Sequence, residues 1–100
     1  MTRPTDLAAA RLRLGALLPE FQERYAVRSF SIFGSFARGE QTSESDLDVM
    51  VDFDRMPDLY DLVGLRLDMQ DALGIDVDLI MRDGVKPHAL PSILRDLVPV

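Results

Sequence analysis

Apolar positions at Leu7, Ala10, Leu14, Leu17, Leu18 and Phe21 recur every three or four residues, which predicts an amphipathic helix. Thr5 or Asp6 can cap it, it ends near Tyr25, and Pro19 is expected to kink or restart it. The period then switches to two. Arg28 to Phe33 reads as a strand with Phe30 and Ile32 on one face and Ser29 and Ser31 on the other. Ser35 to Arg38 fits one helical turn, and Glu40 to Ser45 is a polar loop. Asp46 to Phe53 alternates again, with Leu47, Val49 and Val51 opposed to Asp46 and Asp48. Met56-Pro57-Asp58 ends that strand and caps a helix to Leu73, whose apolar positions are Leu59, Leu62, Val63, Leu65, Leu67, Met69 and Leu73. Gly74 is its expected stop. Ile75 to Met81 predicts a third strand, with Ile75, Val77 and Leu79 on one face and Asp76 and Asp78 on the other. After the Arg82-Asp83-Gly84 turn, Pro87 to Leu97 predicts a short closing helix interrupted by Pro91.

The order α-β-(short α)-β-α-β-α predicts an α+β (α/β) class, one domain over residues 1–100. Its small mixed sheet should carry its helices largely on one face. No repeat, low-complexity segment or linker divides the chain. If the second and third strands are neighbours, their aspartates converge on the uncovered face.

Composition narrows the function. Net charge is −6, and 13 of the 17 acidic residues are aspartate, so a polyphosphate backbone is repelled and no direct nucleic-acid partner is expected. Acidity suits a basic protein partner or plain solubility. The absence of cysteine removes disulfides and thiolate metal sites. No charge-free apolar run approaches a membrane span, and the N-terminus lacks a signal-peptide core, so no membrane role is expected and a cytoplasmic location is.

The chemistry concentrates in Phe33-Gly34-Ser35-Phe36-Ala37-Arg38-Gly39 and Ser45-Asp46-Leu47-Asp48-Val49. Gly34 and Gly39 have P-loop spacing, but Glu40 stands where that motif needs lysine. A dinucleotide fingerprint fails at Ser35-Phe36, and a calcium loop fails because Met50 and Val51 replace its next ligand and glycine. What survives is a Gly-Ser turn able to seat phosphate on backbone N–H groups, then Asp46 and Asp48 about 7 Å apart on one strand face. Such a pair suits Mg²⁺ shared with substrate phosphates, and a third carboxylate on a later strand could complete a second metal site.

Gly34-Ser35-Phe36-Ala37-Arg38-Gly39-Glu40, Ser45-Asp46-Leu47-Asp48-Val49 and Val51-Asp52-Phe53 closely resemble the minimal nucleotidyltransferase (MNT) domains of the DNA polymerase beta-like superfamily. The similarity runs from about Phe30 to Ile80, with Val77-Asp78-Leu79-Ile80 matching the family's third-carboxylate strand. The resemblance implies that Gly34 and Ser35 bind the triphosphate of ATP and that Asp46, Asp48 and Asp78 hold two Mg²⁺ ions. Asp78 would also help activate the acceptor, with Asp76 as the alternative two residues away. Arg38 and Gly39 join the nucleotide-binding loop.

Short proteins resembling this one are typically antitoxins paired with a HEPN-domain ribonuclease toxin. The resemblance therefore implies AMP transfer from ATP to a tyrosine hydroxyl of that toxin, with the acceptor arriving on another chain. Two rivals remain: an antitoxin acting by occlusion over an idle site, and a nucleotidyltransferase acting on a small molecule or RNA. Among other residues, His88 reads as a loop or cap residue, and Tyr25 and Tyr60 as helix residues packing at an edge. Asp52 shares the site's face, and Met50 could floor a pocket. Leu94, Leu97 and Val98 form either an interface or the last core helix.

Overall fold

A computed structural model describes residues 2–100. The chain forms α1 (Leu7–Tyr25), β1 (Val27–Phe33), α2 (Gly34–Arg38), β2 (Leu47–Phe53), α3 (Leu59–Leu73), β3 (Val77–Met81), a 3₁₀ turn (Arg82–Gly84), α4 (Leu90–Asp96) and β4 (Val98–Pro99). Both long helices start on an aspartate. Asp6 accepts a hydrogen bond from the Ala9 N–H at 2.8 Å, and Asp58 accepts one from the Asp61 N–H at 2.7 Å. Each side chain thus satisfies a donor left orphaned in the first turn.

α1 runs unbroken through Pro19, so the helix does not restart there. Proline removes one hydrogen bond, but the buried Leu14 and Phe21 anchor the helix to the core on either side of it. In α3 the buried positions are Leu65, Met69 and Leu73, four apart on one face. Leu59, Val63 and Leu67, among the apolar positions that marked the helix on the sequence, are exposed, and Tyr60 stands free at 89% exposure rather than packing at an edge. At 100° per residue, Leu67 lies far around the helix from Leu65, so all seven apolar positions cannot face one core.

The sheet order is β3-β2-β1-β4. β1 and β2 pair antiparallel, whereas β2 and β3 run parallel, joined by the crossover helix α3. Val27, Phe30, Ile32, Leu47, Val49, Val51 and Val77 turn to one side and pack with α1 and α3 in the main core. Ser29, Ser31, Asp48, Asp52 and Asp78 turn to the other.

That second face is not bare. Met50 shares it, opposite Ser31, and is fully buried. α4 packs on β1 and α2, while its half-buried Leu90, Ile93 and Leu97 stay outside the main core. Pro91 sits in the first turn of α4, where its missing N–H costs nothing, so it helps to start the helix instead of interrupting it. Val98 continues into β4, a short strand absent from the sequence-based expectation, which pairs with Ser31 and Ile32. Leu94 alone of the closing trio is exposed.

Candidate active site

β1 ends in Phe33 and hands the chain to Gly34, whose φ of +72° is a left-handed conformation that side chains disfavour. A second reason for glycine is contact. A Cβ at position 34 would collide with Oδ2 of Asp48 and lie 2.9 Å from its carboxyl carbon. Gly39 has the same φ with nothing within 4 Å of its missing Cβ, so its role is to close α2 through its N–H to the Phe36 and Ser35 carbonyls. Ser35 lies half-buried in the first turn of α2.

The parallel pairing of β2 and β3 sets Asp48 directly across from Asp78. Burial pushes the Asp48 carboxyl up to about 6, helped by the charges of Asp78 and Asp46, while Arg38 pulls the other way. Asp46 is exposed just ahead of β2. The Leu47 N–H donates to the Asp76 carbonyl at 2.9 Å, which extends the same register back to Asp46 and Asp76. Asp78, not Asp76, is therefore the carboxylate facing Asp48. Asp46, Asp48 and Asp78 all lie at one end of two neighbouring strands. His88 is exposed ahead of α4.

Two residues that sequence reasoning missed complete the surroundings. Asp46, Asp76 and Asp78 line a groove of about 500 Å³ together with Arg66 and Gln70 of α3. Gln70 Oε1 accepts from the Val77 N–H at 3.0 Å and Arg66 Nε donates to the Val77 carbonyl at 3.2 Å, so α3 caps the free edge of β3 beside Asp78. Their i, i+4 spacing on a polar flank was visible in the sequence; the strand beneath them was not. Arg38 is already engaged, paired with Glu40 and Asp96 at 2.7 Å each, and so ties α2 to α4.

The donor set suits a hard divalent cation: carboxylate oxygens only, Asp48 half-buried between the exposed Asp46 and Asp78, with a negative excess that helps to raise the Asp48 pKa. Among the described residues, no group of three acidic or histidine side chains is drawn together into a ready-made cage. The fit is therefore to a cation shared with substrate oxygens.

A family model for the nucleotidyltransferase domain matches residues 14–100. The chain is 38% identical to the protein adenylyltransferase MntA of Thermococcus cleftensis over 81 residues, 81% of this chain and 82% of that one. A solved structure provisionally named a minimal nucleotidyltransferase superposes with a TM-score of 0.80 at 34% identity, covering 96% of this chain and 97% of its own. The chain thus belongs to the nucleotidyltransferase domain family and has its minimal fold. More distant is the MNT antitoxin complex with a tri-AMPylated HEPN toxin of Shewanella oneidensis. There the TM-score is 0.67 at 17% identity, over 93% of this chain and 70% of the other, which is likeness of fold.

Proposed function

We propose that this chain is an antitoxin that transfers AMP from ATP to a tyrosine hydroxyl of a cognate HEPN ribonuclease toxin and so disables it. The observation that carries the reading is Asp48: half-buried, opposite Asp78, pressed against a left-handed glycine, and set among two like charges that, with burial, raise its pKa to about 6. Support comes from a relative named a protein adenylyltransferase and from fold neighbours that include an MNT antitoxin in complex with an AMPylated HEPN toxin.

In this reading the Gly34 backbone and the Ser35 hydroxyl hold the triphosphate, with Gly39 keeping the loop in shape. Arg38 turns from Glu40 and Asp96 toward phosphate. Asp46, Asp48 and Asp78 would hold Mg²⁺, two ions when the site is full, and the metal supplies charge neutralisation for the triphosphate. Asp78 accepts the proton of the incoming tyrosine. The phenolate oxygen bonds to the α-phosphorus, the bond to the β-phosphate oxygen breaks, and pyrophosphate leaves. An ATP-consuming reaction of this kind belongs in the cytoplasm.

The test is incubation with ATP labelled at the α-phosphate, Mg²⁺ and the cognate HEPN protein, followed by mass spectrometry. Label on a toxin tyrosine that disappears with Asp46→Asn or Asp48→Asn is the expected result. Neutralisation that persists in those variants without label would identify occlusion instead.

A further inference from the structure

Seven large hydrophobic side chains are exposed among the described residues, and five of them fall within one short segment: Met56, Leu59, Tyr60, Val63 and Leu67. Chance scatter would spread them over the surface. Helical spacing places Leu59, Tyr60, Val63 and Leu67 along one side of α3, away from the buried Leu65, Met69 and Leu73. α3 therefore has two apolar faces, and the fold uses only one. Contiguous exposed apolar surface of this kind marks an interaction site.

We propose that this outer face of α3 is the docking surface for the protein acceptor, a basic partner that presents an apolar groove. The inference rests on the function proposed above and adds the place where the partner binds.

Charge selects the occupant. Between Asp58 and Asp71 the chain carries four aspartates, at 58, 61, 68 and 71, against Arg66 alone, a net of −3. Asp58 is spent on the helix cap, and Asp68 is bonded to the Tyr25 hydroxyl and Arg24. Asp71 is exposed beside the stripe and Asp61 is exposed about a quarter-turn beyond Tyr60, neither with a bonded base among the described residues. Two copies of the chain meeting through this face would set −3 against −3, whereas a basic surface is attracted to it. Position fits the same occupant. Arg66 and Gln70 border the stripe and also line the groove holding Asp46 and Asp78, so a protein seated on α3 overhangs the carboxylates.

The experiment measures binding of the full chain to the cognate HEPN protein by calorimetry, comparing wild type with Leu59→Ser/Val63→Ser and with Tyr60→Asp. These side chains are exposed, so melting temperature and ATP binding should not change. Affinity should fall by about tenfold or more in each variant, and Asp61→Lys/Asp71→Lys should weaken binding and reduce its salt dependence. Unchanged affinity in the stripe variants overturns the docking surface and leaves AMP transfer standing. Weakened binding in those variants, alongside a wild type that binds but transfers no AMP, supports the surface and refutes the reaction. A wild-type dimer in sedimentation that Tyr60→Asp dissociates would make the occupant a second copy and overturn the proposal.

Discussion

Asp48 and Asp52 lie on the same face of the same strand, four residues apart, and the fold treats them in opposite ways. Asp52 is neutralised: Ser29 donates to it at 3.3 Å and Arg82 approaches at 3.4 Å. Its neighbour Asp54 is paired with Arg28 at 2.8 Å. Asp48 has no hydrogen-bonded base among the described residues. Its neighbours are Gly34 and two further carboxylates, and burial holds its pKa near 6. A carboxylate kept half-buried among like charges works against stability, so the near end of β2 is where the proposed chemistry, and not the fold, accounts for the arrangement.

The sharpest separation of the two ends comes from matched amides. Asp48→Asn is expected to lower AMP transfer by a factor on the order of 10²–10³ or more while leaving the metal-free protein as stable as wild type or more so. Asp52→Asn should change transfer by less than tenfold, an upper bound set by its distance from the reacting groups. Equal losses in the two variants, measured by labelled-ATP turnover, would break the distinction. The two glycines make the next comparison. Both adopt φ +72°, so alanine at either costs about 1–2 kcal/mol in denaturant melts. Only Gly34→Ala displaces the Asp48 carboxylate, so transfer should fall about 10²-fold there and far less in Gly39→Ala.

A third test uses pH. The folded chain keeps the Asp48 proton up to about pH 6, against an ordinary value of 3.8 in the unfolded chain. Between those values the native state binds more protons, so the stability of the metal-free protein should fall as pH rises through this window and level off above it. Solvent reaches half of the group, and screening keeps the change well below the full linkage value. Denaturant melts in chelator across the window should show the fall in wild type and in Asp52→Asn, and a flatter profile in Asp48→Asn.

The fold was largely legible because its strands alternate cleanly. Leu47, Val49 and Val51 against Asp48, and Val77 and Leu79 against Asp78, require a sheet with one apolar face. Helix starts were legible at Asp6 and Asp58 because capping is local. Three features were not, each for a tertiary reason. β4 is two residues long and takes its order from pairing with β1. The burial of Met50 depends on which elements cover the aspartate face. The exposure of Leu59, Val63 and Leu67 depends on which arc of α3 the core selects. The candidate site was legible as residue types and spacing. That Asp78, not Asp76, faces Asp48 depends on strand register, which alternation alone leaves open by two residues.

Arg82 offers the smallest effect and the most direct check on whether its ion pair is what sets the far end apart. If Asp52 is quiet because Arg82 and Ser29 occupy it, Arg82→Gln leaves a carboxylate on the site's face without its base. Both partners are partly exposed, with relative accessibilities of 43% and 30%, so the lost pair should cost about 0.2–1 kcal/mol in stability. Transfer should change little, because Asp52 still lacks what Asp48 has: a facing carboxylate across the parallel pair and a glycine against its side chain. A large loss of turnover in Arg82→Gln would place the far end inside the machinery. A small one would support position against Gly34 and Asp78, and not the mere absence of a counter-charge, as what sets Asp48 apart from Asp52.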